Sequence, residues 1–169
     1  MALTHLVDTS VLTRLARPEV RSAIEPRAER GELARAEISD LDVGYSARSE
    51  SEWDRLAGAL GVFELVATTS EHVRRAKQVQ RLLAAKHKRG RKLPDLLIAA
   101  AAEAESLIVL HYDADFDRIA AVTGQRSEWI VPPGAIDLIH VVPEPGLESR
   151  GRCNDEPKAI TRASRAAAL

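Results

Sequence analysis

Aspartates recur in this chain where an apolar segment meets a helical one. The set consists of Asp8, Asp42, Asp95, Asp113 and, two residues further on, Asp115. Carboxylates that share a site repel one another and raise each other's pKa, and a divalent cation removes this repulsion. Sites made only of carboxylate oxygens favour hard ions, Mg²⁺ or Mn²⁺, which activate water and neutralise a transferring phosphoryl group. If these side chains meet, the sequence predicts metal-dependent hydrolysis of a phosphodiester.

Each aspartate also has an explanation that needs no ligand. A carboxylate at the start of a helix caps the helix or favours its dipole, and this applies to Asp8 and Asp95. Asp42 stands three residues after Ser39, the predicted cap of its helix, and the pair at 113 and 115 could belong to a turn. We predict a metal site because all these positions are of one kind, although no single residue requires it.

Alternating strands and helices must bring these acids together. Strand patterns are predicted at Leu3–Val7, Leu33–Ile38, Val62–Ala67, Leu107–Leu110 and Trp129–Val131. Helix starts are indicated by Ser39, by Ser49 with Glu52 three residues later, by Ser70 and by Pro94. This alternation is typical of a parallel sheet with helices on both faces. We therefore expect an α/β fold, a three-layer α/β/α sandwich with a central, mostly parallel sheet, whose ligands bind at the carboxyl ends of the strands.

Composition narrows the choice of partners. The chain has 169 residues, a formal net charge of −1 and only 4% aromatic residues, so a surface that stacks bases on aromatic rings is not expected. Its one cysteine, Cys153, excludes an internal disulfide and a cysteine-based zinc site. No stretch approaches the roughly 18 apolar residues of a membrane span, so we expect a cytoplasmic protein. We expect one domain over 1–142 and a weakly structured tail over 143–169.

Basic residues lie close to one of the aspartates. The loop Lys86–Lys92 directly precedes Asp95, and lysines and arginines in such a loop attract a phosphate backbone. We therefore regard Arg91, Lys92 and, further upstream, Arg48 as candidates for binding the phosphate backbone of a nucleic acid, which the resemblance described below implies to be RNA. The loop could equally be a solvated helix end, and Arg48 could form a surface ion pair.

Four motifs, in this order, resemble those of PIN-domain proteins, and most closely the VapC toxins of bacterial toxin–antitoxin pairs. The motifs are Asp8-Thr9-Ser10, Leu41–Arg48 (LDVGYSAR), Leu93–Ala100 (LPDLLIAA) and Leu110–Phe116 (LHYDADF). The resemblance covers roughly residues 3–142. It implies a PIN-like fold and a Mg²⁺-dependent endoribonuclease, with Mn²⁺ as a substitute, that cuts structured RNA such as tRNA or rRNA. It also implies a homodimer and a cognate VapB antitoxin that covers the active site.

The resemblance also assigns roles by position. Asp8 matches the first acid of the family, Asp95 the third and Asp113 the fourth, and these three are expected to hold the metal. Asp115 is expected to assist the fourth acid, and Ser10 matches the hydroxyl residue that supports the first.

One position departs from the family pattern. The second acid is usually Glu, whereas Asp42 stands in that place, and the loss of one methylene shortens its reach by about 1.5 Å. Asp42 could act through a water, or Glu37 or Asp40 could replace it. The alternative function is a PIN-domain binding module that holds antitoxin or RNA without cutting. A haloacid dehalogenase-type phosphatase is disfavoured, because Ser10 occupies the place of its second Asp, and a phospho-receiver domain lacks its acidic pair here.

Overall fold

A computed structural model describes residues 2–86 and 92–136. The strands are β1 (His5–Val7), β2 (Leu33–Ala36), β3 (Glu64–Val66), β4 (Ile108–His111) and β5 (Ser127–Trp129). The helices are α1 (Thr9–Leu12), α2 (Pro18–Glu29), α3 (Glu37–Gly44), α4 (Glu50–Leu60), α5 (Ser70–Ala85), α6 (Leu93–Ala104) and α7 (Asp115–Thr123). Among these described helices, none has the length and apolar content needed to cross a bilayer.

The five strands form one parallel sheet in the order β3-β2-β1-β4-β5. The first strand of the chain is therefore central, and Leu6 aligns with Ala34 of β2 on one side and with Val109 of β4 on the other. The chain runs from β1 to β2 and from β4 to β5 in opposite directions across the sheet, which opens a crevice at the carboxyl ends of β1 and β4. The prediction of a parallel α/β sheet is confirmed.

Two apolar cores cover the two faces of the sheet. Successive side chains of a strand point to opposite faces, and Leu6 accordingly packs in one core while Val7 packs in the other. The first core contains Ile98 and other residues of α5, α6 and α7. The second contains Val20 and other residues of α1 to α4. The result is the expected sandwich of helices, sheet and helices.

Some element boundaries differ from the predicted ones. Strand β2 ends at Ala36, and α3 begins at Glu37 without a side-chain cap, so Ser39 is not the cap but a buried residue of the first turn. Glu37 accepts a hydrogen bond from the backbone N–H of Thr68 at 2.8 Å, a contact between distant segments that favours the earlier helix start. Helix α5 is likewise capped by Thr69, one residue before the predicted position.

Other boundaries match the sequence. Ser49 caps α4 by accepting the N–H of Glu52 at 3.2 Å, and Gly61 follows its last residue. The predicted tail, 143–169, lies outside the described residues, so the domain limit at 142 stays a prediction.

Candidate active site

The central crevice holds most of the acidic residues singled out in the sequence. Asp8 follows β1 directly, and its backbone N–H donates to the carbonyl of Leu110 in β4 at 2.9 Å, so the two strand ends are joined. A pocket of about 190 Å³ opens there. Its lining consists of Asp8, Thr9, Ser10, Thr13, Arg14, Asp42, Lys92, Asp95, Tyr112 and Asp113.

Asp8 is both a helix cap and a buried acid. Its Oδ2 accepts the N–H of Ser10 at 2.8 Å and caps α1, as the ligand-free explanation requires. The side chain is nevertheless buried, and Oδ1 has no hydrogen-bond partner among the described residues. Burial raises the pKa of Asp8, and the nearby charge of Asp113 adds to this, while hydrogen bonds from Ser10 oppose it.

Asp95 lies in the first turn of α6, behind Pro94 and ahead of the buried run that fills the core. Only 5% of the residue is exposed, and its Oδ2 also lacks a partner among the described residues. Burial, followed by the negative charge of Asp8, raises the pKa of Asp95 to about 7. Because an unpartnered buried carboxylate is unfavourable, binding of a cation next to Asp95 would be favourable.

Asp113 and Asp115 complete a cluster with Asp95. One carboxylate oxygen from each of the three lies within 4.8 Å of the others. Asp113 Oδ1 accepts the N–H of Asp115 at 2.9 Å, and its Oδ2 accepts Lys92 Nζ at 2.9 Å. Burial alone would raise the pKa of Asp113, but these two hydrogen bonds outweigh it, and the net pKa is lowered. Asp115 also accepts Arg118 Nη1 at 2.5 Å.

Two hydrogen bonds hold the acid-bearing loops in place. Ser10 Oγ accepts the N–H of Tyr112 at 2.8 Å, which ties the start of α1 to the segment after β4. The N–H of Asp113 donates to Nδ1 of His111 at 3.3 Å, and His111 is fully buried. The hydroxyl of Ser10 thus fixes the segment after β4, and its role in supporting the first acid stays a prediction.

The second acid occupies a different environment. Asp42 lines the pocket from α3, but its side chain is exposed. Its two acidic neighbours are engaged elsewhere, since Asp40 accepts Arg35 Nε at 2.7 Å and Glu37 accepts Thr68 N–H. Asp42 is therefore the only acid of α3 that lines this pocket.

The predicted RNA-binding residues do not all lie at the pocket. Lys92 lines the pocket, and its ammonium bonds to Asp113. Arg48 is exposed between α3 and α4 and is not part of the pocket lining. Arg91 lies outside the described residues.

Sequence reasoning missed Arg14, which lines the pocket beside the acids. The only signal for it was its spacing, four residues after Ser10, which places the two on one side of a helical turn. Arginines are frequent in this chain, and nothing in the sequence distinguishes Arg14 from those that lie on outer helix faces.

The donor set fits a hard divalent cation. Three carboxylates lie within 4.8 Å of one another, and two further observations are the unpartnered, buried oxygens Asp8 Oδ1 and Asp95 Oδ2. Oxygen ligands of this kind suit Mg²⁺ or Mn²⁺. The set within 4.8 Å includes Asp115 rather than Asp8, whereas Asp8 lines the same pocket as Asp95 and Asp113.

Comparisons with known proteins agree with this geometry. The PIN domain family matches residues 5–122. The chain is 64% identical over 137 residues to ribonuclease VapC51 of Mycobacterium tuberculosis, an alignment that covers 81% of this chain and all of that protein. It is 44% identical to ribonuclease VapC21 of the same species, over 79% of this chain and 99% of the relative.

Solved structures share the fold. The DNA-bound VapBC complex of Salmonella typhimurium has a chain that matches with a TM-score of 0.64 at 19% identity, covering 76% of this chain and 99% of that one. VapBC2 of Rickettsia felis, bound to a promoter fragment, matches with a TM-score of 0.62 at 18% identity, over 76% and 98% of the two chains. At these identities the likeness concerns the fold alone. Together with the sequence relatives, it shows that the chain belongs to the PIN-domain family and, within it, to the VapC ribonucleases.

Proposed function

We propose that this protein is the toxin of a type II toxin–antitoxin pair, a Mg²⁺-dependent endoribonuclease that cuts structured RNA, tRNA or rRNA, in the cytoplasm. The observation that carries the proposal is the acidic pocket: Asp8 Oδ1 and Asp95 Oδ2 are buried without partners among the described residues, beside the cluster that includes Asp113. Such an arrangement is unfavourable in the absence of a cation, and a protein retains it where a cation is used.

The metal ligands in this proposal are Asp8, Asp95 and Asp113, with Mn²⁺ as a possible substitute for Mg²⁺. When bound, the ion supplies a lowered pKa for a water and neutralises charge on the phosphoryl group. Asp42 and Asp115 complete the acidic shell or accept a hydrogen bond from the attacking water. Asp42 is exposed at the pocket, where water can lie between its short side chain and the other acids.

The remaining residues position these groups and the RNA. Ser10 fixes the Tyr112 segment, and the hydrogen bond from Asp115 N–H orients Asp113. Lys92 neutralises Asp113 and can turn towards a phosphate, since its side chain is 66% exposed. We propose that Arg48 and Arg91 add phosphate contacts outside the pocket, which supply affinity independent of sequence.

The partner in this proposal is a cognate VapB antitoxin that covers the pocket, and the protein acts as a homodimer. The support is the similarity to VapC proteins and to chains found in VapBC complexes. A second candidate is a module that binds RNA or antitoxin without cutting. One observation favours it: the acid of α3 that lines the pocket is Asp42, which is one methylene shorter than the usual Glu.

The test is Asp8→Asn, with Asp54→Asn as a matched control on the exposed surface of α4. We expect the Asp8 variant to lose cleavage of total RNA in MgCl₂ and to stop inhibiting growth, while its circular dichroism stays that of the folded protein. The control should behave as wild type. An Asp8 variant that cuts RNA at the wild-type rate would refute the metal assignment.

The same preparations separate the two candidate functions. Wild-type protein that binds Mn²⁺ in a titration and cuts RNA supports the nuclease. Wild-type protein that binds Mn²⁺ and RNA but leaves the RNA intact supports the binding module.

A further inference from the structure

Arg14 is a cation on the wall of an acidic pocket. It follows α1 by two residues and lines the pocket together with Asp8, Asp95 and Asp113. Lys92, the other cation in the lining, bonds to Asp113, whereas, among the described residues, Arg14 forms no salt bridge with the acids of the pocket. The guanidinium of Arg14 therefore calls for a separate explanation.

The side chain of Arg14 is held in one orientation. Its Nη1 donates to the carbonyl of Ser10 at 2.7 Å, and its guanidinium carbon lies 5.4 Å from the centre of the Tyr112 ring. Tyr112 is fixed in turn, since its N–H donates to Ser10 Oγ at 2.8 Å and its hydroxyl accepts the N–H of Ile136 at 3.4 Å. Little conformational entropy remains to be lost when this guanidinium binds a ligand.

The charge of Arg14 has no carboxylate partner within 4.0 Å in the part of the chain that the structure describes. Its guanidinium contacts a carbonyl oxygen and an aromatic face, and both contacts leave N–H donors available. Arginines such as Arg35 and Arg75, in contrast, form salt bridges with acids. A planar, half-buried guanidinium with unused donors is well suited to bind two oxygens of a phosphate.

We propose that Arg14 binds a backbone phosphate of the RNA and so fixes the strand relative to Asp8 and Asp95. This inference rests on the proposed function, because it takes RNA as the substrate. The acids repel the RNA backbone, and Arg14 provides a fixed attractive contact in the lining of the same pocket. Arg14 is a substrate-binding residue in this account, and it does not touch the bond that is cut.

The test measures binding of fluorescein-labelled bulk tRNA in MgCl₂ at several salt concentrations, in an Asp8→Asn background that prevents cleavage. We expect Arg14→Gln to weaken binding about tenfold and to lower the slope of log affinity against log salt by about one. Arg14→Lys should keep the slope, because it keeps the charge. Arg21→Gln is the matched control, since Arg21 is exposed on α2 outside the pocket, and it should change neither quantity more than about twofold.

Several outcomes would overturn the inference. One is an Arg14→Gln variant with the affinity and slope of Arg21→Gln. Another is an Arg14→Gln change that abolishes Mn²⁺ binding when Asp8 is intact but leaves the salt slope of the Asp8→Asn background unchanged, which would show that Arg14 only supports the pocket. Wild-type protein that cuts neither tRNA nor rRNA refutes the nuclease, while the binding measurements still decide the role of Arg14. Wild-type protein that binds neither RNA at any salt concentration refutes both.

Discussion

Asp95→Asn is expected to stabilise the metal-free protein while removing its ability to bind a dication. Asp95 is 5% exposed, one of its oxygens lacks a partner among the described residues, and the negative charge of Asp8 acts on it. Ionisation of Asp95 is therefore unfavourable in the folded state. An amide of the same shape removes the charge and keeps the volume.

The size of the effect follows from the pKa. Folding raises the pKa of Asp95 from 3.8 to about 7, which corresponds to a free energy of about 4 kcal/mol. The amide of Asn needs partners of its own, so we expect a net gain of about 2–4 kcal/mol at pH 8 without metal.

The pH dependence has a defined sign. Between pH 3.8 and about 7, the folded carboxyl keeps a proton that the unfolded chain has lost, so unfolding releases a proton. The contribution of Asp95 to the free energy of unfolding of the wild type therefore falls as the pH rises through this window. Above the window this contribution no longer changes with pH. The advantage of Asp95→Asn should be small near pH 4, grow steadily and reach its full size above pH 7.

The assay is urea unfolding in EDTA from pH 5 to pH 8, followed by circular dichroism. Asp42→Asn is the control, because Asp42 lines the same pocket but is exposed. Mn²⁺ at 100 times its Kd should stabilise the wild type by about 2.7 kcal/mol and should leave Asp95→Asn unchanged. A stability difference that does not widen with pH, or an Asn variant less stable than wild type at pH 8, would refute the reasoning.

Two further substitutions test the remaining pocket residues. Asp42→Glu restores about 1.5 Å of reach and is expected to raise the rate of RNA cleavage about tenfold; an unchanged or lower rate would show that the shorter acid is already well placed. Lys92→Met removes the ammonium that bonds to Asp113 at 2.9 Å, so Mn²⁺ affinity measured by calorimetry should rise about threefold while tRNA affinity falls. Weaker Mn²⁺ binding in this variant would contradict that role for Lys92.

The central part of the fold was predictable because its sequence pattern has a single physical cause. Strands β1 and β4 are largely buried and contain the apolar runs Leu6-Val7 and Ile108–Leu110. Asp8 and Asp113 are the first carboxylates after these runs, which placed them at the same edge of the sheet. Parallel pairing of the two strands then brings the carboxylates into one pocket.

Other features depend on contacts that the sequence does not reveal. The start of α3 is set by contacts such as that of Glu37 with Thr68, which is 31 residues away, rather than by the good capping residue Ser39. The orientation of Arg14 depends on Tyr112, which follows a different strand. In both cases tertiary contacts determine the helix start or the side-chain orientation, because local propensity does not fix it.

The position of β1 has a consequence for the cell that makes this protein. Strand β1 lies at the centre of the sheet, and its neighbour β4 is synthesised on the order of 100 residues after it. Until β4 inserts, Asp113 and Asp115 are absent from the pocket, so an unfinished polypeptide has no complete acidic centre. Under the proposed function, a partly translated copy cannot cut RNA, and only a chain that has passed β4 needs to be neutralised by the antitoxin.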